Sequence, residues 1–256
     1  MNCSSIQNRF SLSLNFLGAL ILFTFGCSAA HKETLTLAPT QEVSDAAIER
    51  YIRAHPEVIE QSLQALEVKR EAELRDRQKT ALATRQDELL HDPTSPVSGN
   101  LKGEITVVEF YDYRCGYCKR AAAAVTELQK VDPRVRVVYK DFPILGESSE
   151  LAAKAALASQ AQGKHQVFHE ALLASHGDMT KDEIFKIAVS VGLNVKRLET
   201  DMASPKWQAV ITKNRALAQE LGISGTPGFI VGNQLVPGAL DLNGLKELIA
   251  RAGQGK

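Results

Sequence analysis

Residues 105–120 read ITVVEFYDYRCGYCKR. The first seven, Ile105–Tyr111, are β-branched and apolar, the pattern of a buried strand. Two cysteines, Cys115 and Cys118, then stand two residues apart, and an alanine-rich segment reaching Val131 predicts a helix. A strand that opens through a short loop into a helix puts Cys115 at the helix N-terminus. There, backbone N–H groups and the helix dipole favour a thiolate over a thiol. Three chemistries compete for such a pair. A structural zinc needs four ligands, usually two such pairs, and no second CxxC exists. His165 and His169 share a helical face, but HQVFHEAL lacks the glutamate of HExxH, and its Phe and Leu residues predict helix packing. An inert disulfide across two residues closes too small a loop to stabilise the fold much. The redox reading has a mechanism: a Cys115 thiolate attacks a disulfide in another protein, and Cys118, one turn on, attacks back to release it.

The rest of the 256-residue chain fits that reading. Its 30 basic and 30 acidic side chains balance, which gives no footprint for nucleic acid. Four cysteines are too few for a disulfide-stapled scaffold. The first 30 residues carry Arg9, no acid, an apolar run from Phe10 to Phe25 and small residues to Ala30, which predicts a secretory signal. Cleavage after Ala30 is the favoured cut, and a lipobox at Gly26-Cys27, with Cys27 lipidated, is the other. After either, Cys115 and Cys118 are the free thiols left in an oxidising compartment.

Residues 31–43 read as a tether. Ser44 or Asp45 caps a short helix, and Pro56 opens a second one running to about Leu90. Its stripe of Ile59, Leu63, Leu66, Leu74, Ala81, Leu82, Leu89 and Leu90 flanks a heavily charged middle. Two readings stand for it: packing on its own domain, or meeting a copy of itself on another chain, with Ile59–Leu66 the favoured contact. His91–Pro96 breaks the helix. Strands are then expected at Ile105–Tyr111, Arg134–Lys140, Phe229–Val231 and about Gln234–Val236. Helices are expected over Cys118–Val131, a long region from Glu147 to Leu221, and Asp241–Arg251.

Two motifs, VVEFYDYRCGYCKR (Val107–Arg120) and GISGTPGFIVGNQLVPGAL (Gly222–Leu240), resemble the DsbA-like thiol-disulfide oxidoreductases of the thioredoxin superfamily. The likeness covers Val97 to about Ala252, and DFPILGESSELAAKAALAS resembles this family's passage into its helical insertion. The helical extension resembles the longer exported members, the Com-one-like antigens and ScsC-like proteins, in which it mediates dimers or trimers. The resemblance implies an α/β thioredoxin fold with a helical insertion at about 145–221. Residues 93–256 would form that domain, behind a tether and oligomerisation region at 31–92.

It also implies site residues. Cys115 would be the attacking thiolate and Cys118 the resolving thiol. Glu109 would be a buried acid relaying the proton that Cys118 loses. Gly116, Tyr117, Thr226 and Pro227 would bind substrate, with Pro227 cis and facing the cysteine pair. No cofactor is implied beyond the Cys115–Cys118 disulfide, and no metal. The partners implied are unfolded or misoxidised exported proteins, a DsbB-like oxidase or DsbD-like reductase, and a second copy of the chain, with a trimer as the alternative. Gly116-Tyr117 lacks the histidine of the most oxidising members, so Cys115 is expected to be less acidic than in DsbA, about 3.5, and its disulfide less oxidising than about −120 mV. The competing readings from other classes are a surface-associated binding or antigenic lipoprotein, and a metal-handling protein, on the same scaffold.

Overall fold

The computed structural model describes residues 44–253. The expected signal (1–30, with Cys27) and tether (31–43) lie outside the described residues. Two compact units divide between His55 and Pro56. In the first, helix α1 (Asp45–Ala54) follows Ser44 at its N-cap and carries an exposed Glu49–Arg53 pair at 2.7 Å.

The second unit opens with α2 (Glu57–Thr84) and α3 (Gln86–Leu90). The continuous helix expected to Leu90 is therefore interrupted at Arg85. The cause is an anchor: the Arg85 guanidinium donates to both carboxylate oxygens of Glu220, at 2.9 and 2.7 Å, and to Glu88 Oε1 at 2.6 Å. Strand β1 (Val97–Gly99) follows, then β2 (Ile105–Tyr111), α4 (Gly116–Val131) and β3 (Val135–Asp141). Five helices and a 3-10 turn come next: α5 (Glu147–Ser159), α6 (His165–Ala174), α7 (Lys181–Ser190), α8 (Val195–Met202) and α9 (Pro205–Glu220). The hairpin of β4 (Gly228–Val231) and β5 (Gln234–Pro237) and the closing α10 (Leu242–Gly253) complete the chain. Asp241 caps α10, its Oδ1 accepting from Gly244 N at 2.8 Å.

The sheet order is β1-β3-β2-β4-β5, with β2 and β3 parallel and the other pairs antiparallel. This is the α/β thioredoxin fold with a helical insertion that the two motifs implied. Strand β1 was not expected, because three residues carry no period of their own and hold as a strand only by pairing with β3.

Alternation along β2 sorts its side chains between two cores. Val107 and Tyr111 face α4 and the helical insertion, whereas Val108 and Phe110 face the opposite side. Glu109 lies on the first face by the same alternation. The second core is closed by the end of the N-terminal extension: Ala81, Leu82 and Leu89 are buried there with Val138, Leu217, Leu221 and Ile230. Packing on the domain therefore describes the C-terminal part of α2. From Ile59 to Arg77 every residue of α2 is exposed. The packed core thus reaches back to Ala81, upstream of residue 93.

On that second face the buried ammonium of Lys140 donates to the Glu88 carbonyl and to Ser95 Oγ, the latter at 2.7 Å. The buried Asp92 carboxylate sits 4.0 Å from Lys140 and 3.0 Å from Lys213. These bonds tie the α3 end of the extension to the sheet.

Candidate active site

Cys115 is the N-cap residue of α4, and its carbonyl accepts from Lys119 N at 3.1 Å. The loop that presents it is built on Asp112, which is buried. Asp112 Oδ1 accepts from Arg114 N at 2.7 Å, and Oδ2 accepts from Ile144 N and Leu145 N at 2.8 and 3.0 Å. Its backbone carbonyl takes the Cys115 N–H at 3.1 Å. One aspartate thus fixes the end of β2, the entry to α4 and the loop after β3. The signal for it was an Asx turn two residues before Arg114, overlooked beside the cysteines.

Both cysteines are free thiols, Cys115 7% exposed and Cys118 fully buried. The Cys115 Sγ–H donates to the Thr226 carbonyl at 3.2 Å, and the Thr226-Pro227 peptide bond is cis. Residues 111 positions apart are thus brought together, Thr226 against Cys115. Gly116 and Tyr117 lie exposed between the cysteines. The Arg120 guanidinium stacks over the Tyr117 ring at 4.1 Å, a cation beside the dipeptide that sequence reasoning missed.

The two thiols are driven apart in acidity. Cys115 is lowered to about 5, chiefly by the hydrogen bond from Cys118; the Thr226 side chain and the Cys118 and Tyr117 amides add to this against the cost of burial. Cys118 is pushed up by burial, by its bond to Cys115 and by the charge of Glu109. At neutral pH, Cys115 is a thiolate and Cys118 a thiol.

Glu109 is 1% exposed, and its Oε1 has no hydrogen-bond partner among the described residues. Burial, and then the charge on Cys115, raise its carboxyl to about 8. A cavity of about 430 Å³ between α4 and α6 is lined by Glu109, Lys119, Tyr139, His169 and Glu170. Tyr111 and Tyr113 are buried beside it, their hydroxyls 3.0 Å apart, with Tyr113 Oη 2.9 Å from His169 Nδ1. Phe142 packs on the other face of the sheet against Phe110. His165 and His169 are core residues of α6, held well below the usual histidine range by burial. Among the described residues, no three His, Cys, Asp or Glu side chains are grouped to hold a metal ion.

A pH dependence of stability follows from Glu109. The unfolded carboxyl titrates at about 4.5 and the native one at about 8. Between those values the unfolded chain gives up a proton that the native state keeps, so stability falls as pH rises across that window. Cys115, lowered to about 5, and the depressed His165 and His169 act in the opposite sense, so the Glu109 contribution is read by comparison with Glu109→Gln: from pH 5 to pH 8 the denaturant midpoint of the reduced wild type is expected to fall relative to that of the variant. Asp141, which burial raises to about 7, adds to the loss in both proteins and cancels in the comparison. The same change of midpoint with pH in the wild type and in Glu109→Gln would refute an unpaired buried carboxyl.

Residues 106–250 match the family of DSBA-like thioredoxin domains. The chain belongs to that family. Among solved structures, its DSBA-like domain is similar to a thioredoxin-like oxidoreductase from Silicibacter pomeroyi, at 47% identity and a TM-score of 0.65, covering 66% of this chain and 98% of that one. A linker-deletion mutant of Proteus mirabilis ScsC is similar over 85% of this chain and 100% of its own, at 27% identity and a TM-score of 0.69. That match extends beyond the DSBA-like domain. A curated relative is the sodium/proton antiporter NhaA 1 of Salinispora arenicola (strain CNS-205), 29% identical over 161 residues, 62% of this chain and 25% of the antiporter. The match spans about a quarter of that relative's length. Among the described residues of the DSBA-like chain, no helix is long and apolar enough to cross a membrane.

Proposed function

We infer that the protein is an exported thiol-disulfide oxidoreductase that forms and isomerises disulfides in other exported proteins. The observation that carries this is the split between the cysteines: Cys115, at a helix N-cap beside Thr226-Pro227, is acidic, and Cys118, buried over Glu109, is not. The Cys115 thiolate attacks one sulfur of a client disulfide, forms a Cys115–client bond and expels the other client sulfur as a thiolate. With Cys115 bonded to the client, its charge no longer helps hold Glu109 protonated, and the Glu109 carboxylate takes the proton that Cys118 loses; Cys118 then attacks Cys115 Sγ, closes the Cys115–Cys118 disulfide and expels the client sulfur as a thiolate. In reverse, the same steps oxidise a client dithiol. When the expelled client thiolate attacks a different client disulfide before Cys118 acts, the client thiolate released there attacks the client sulfur bonded to Cys115, and Cys115 leaves as a thiolate; the result is isomerisation with no net oxidation. A Cys115 pKa of about 5 lies above the roughly 3.5 of DsbA, which supports a disulfide less oxidising than DsbA's.

Isomerisation needs a pool kept reduced and a surface that holds clients. We assign both to assembly through α2. Ile59, Leu63 and Leu66 are 45, 56 and 40% exposed at i, i+4, i+7 spacing, within a stretch of α2 that is exposed throughout. Such a helix gains most of its stability from packing, and a copy of itself in a homodimer supplies it. The partners that fit are unfolded or misoxidised clients and a membrane oxidase or reductase of the DsbB or DsbD type.

The test is refolding of a scrambled-disulfide protein by the full mature chain and by a chain beginning at Arg70, which lacks Ile59–Leu66 but keeps the packed end of α2. The full chain is expected to isomerise, and the shortened one to oxidise while isomerising several-fold more slowly. Equal isomerisation by both would remove the assembly from the mechanism.

A further inference from the structure

Beside the cysteine pair lies a groove of about 520 Å³ whose wall comes partly from outside the DSBA-like domain. One side is the loop Ser224–Gly228 with Leu235 and Pro237, and Tyr117 stands at the end nearest Cys115. The opposite side is α2, through Leu74 and Gln78.

The contact that brings α2 there is specific. Helix α9 ends in a Schellman turn: Ile223 N donates to the Ala218 carbonyl at 2.8 Å and Gly222 N to the Gln219 carbonyl at 3.1 Å, with Gly222 at φ +70°. A Cβ on Gly222 would lie 2.7 Å from Leu74 Cδ1, so the glycine both closes the turn and admits the leucine. Gln78 Nε2 donates to the Leu221 carbonyl at 2.8 Å, one of the carbonyls a helix end leaves open. Leu74 remains 43% exposed toward the groove although it is anchored.

The lining narrows the occupant. It holds no charged side chain. Its polar groups are neutral, the side chains of Gln78, Tyr117, Ser224 and Thr226 with the loop backbone, and among the described residues no hydrogen bond engages the Gly225 or Thr226 amides. Unpaired amides along one side and apolar side chains along both suit an extended polypeptide, which supplies carbonyls to the first and an apolar side chain to the second. The groove shares Tyr117, Thr226 and Pro227 with the cysteine site, so the strand it fits is the one flanking the client cysteine bonded to Cys115.

We propose that Leu74 and Gln78 of the N-terminal extension form a specificity-determining wall that selects client segments with an apolar residue beside the reacting cysteine. This rests on the assignment of Cys115 as the attacking thiolate. The extension then serves each active site in its own chain, apart from any role in assembly.

The test uses the full mature chain, with glutathione as the thiol reductant that regenerates the Cys115–Cys118 dithiol, and two disulfide-bonded peptides that differ at one position beside the reacting cysteine, leucine in one and glycine in the other. The wild type is expected to favour leucine about tenfold in kcat/KM, the order of preference an apolar pocket gives. In Leu74→Ser the ratio should fall toward one, mainly through KM. Gln78→Ala, which loosens the same wall, should lower it in part. Val68→Ser, exposed on the same helix but outside the groove, should keep the wild-type ratio. A tenfold preference unchanged in Leu74→Ser overturns the proposal, as does a Leu74→Ser chain whose oligomeric mass changes while the ratio holds, which would seat a second copy in the groove. Turnover of neither peptide by the wild type defeats the oxidoreductase reading itself, a result distinct from turnover without preference.

Discussion

Cys115→Ser is expected to lower disulfide exchange by roughly three orders of magnitude or more, since no other thiolate stands at the site to replace the nucleophile. Cys118→Ser should behave differently. It leaves Cys115 to attack but removes the group that resolves the product, so a covalent adduct with the client should accumulate, visible on a non-reducing gel and released by dithiothreitol. The pH dependence of alkylation provides the matching signature. Cys115 is lowered to about 5 by the Cys118 thiol, aided by Thr226 and the helix amides, so its reaction with iodoacetamide should be half-maximal near pH 5 and level at neutral pH. The Cys118→Ser variant loses the largest of those contributions, so its half-maximal point should move upward. Serine keeps a hydroxyl donor at 118, so Cys118→Ala should move it further. A half-maximal point near 8.5 for the wild type, roughly the ordinary cysteine value, would mean that the N-cap geometry does not activate Cys115.

Beginning the chain at Asp92 should cost it most of its stability, whereas beginning it at Arg70 should cost little. Ala81, Leu82 and Leu89 are 6, 5 and 2% exposed against the sheet face that carries Val108, Phe110 and Val138. Trimming a single buried leucine to alanine typically costs about 2–5 kcal/mol. Removing two leucines, the Arg85–Glu220 anchor and the Glu88 carbonyl that Lys140 binds should exceed half of a typical domain stability of about 5–15 kcal/mol. Lys140 adds to the loss, because burial already lowers its pKa to about 8 and its ammonium would lose a partner. Guanidinium unfolding of the three chains measures this. Coincident transitions for the full chain and the Asp92 chain would show that the extension is not part of the folded core. For this reason the isomerisation assay above compares the full chain with the Arg70 chain: truncation at Asp92 would confound loss of assembly with loss of the fold.

Much of the site was legible because it is local. Strand, loop and helix succeed one another within residues 105–131, so the position of Cys115 at the helix entry follows from the order of residue types alone. Glu109 on the face beneath Cys118 follows from alternation along one strand. What the sequence hid depends on distant pairing. The β1 strand exists only against β3. The break at Arg85 is caused by Glu220, 135 positions later. Leu74 and Gln78 read as two more positions on a charged helix until α9 is seen to end beside them. The choice between a helix packed on its domain and one left open could not be made from periodicity, because one helix is buried at its C-terminal end and exposed along the rest.

That division has a mechanical consequence. From Glu57 to Thr84 the helix contains no glycine or proline, and its last turns are set in the core. Nothing along it can serve as a pivot, and swinging it as a whole would uncover Val108 and Ile230. The exposed leucines therefore stand at a set distance from the cysteines, about 24 Å along the axis from Leu66 to Leu82 at about 1.5 Å per residue. In a dimer joined at those leucines, the span between facing thiols is written in helix length, and the residue count of α2 acts as a gauge for the clients admitted between them.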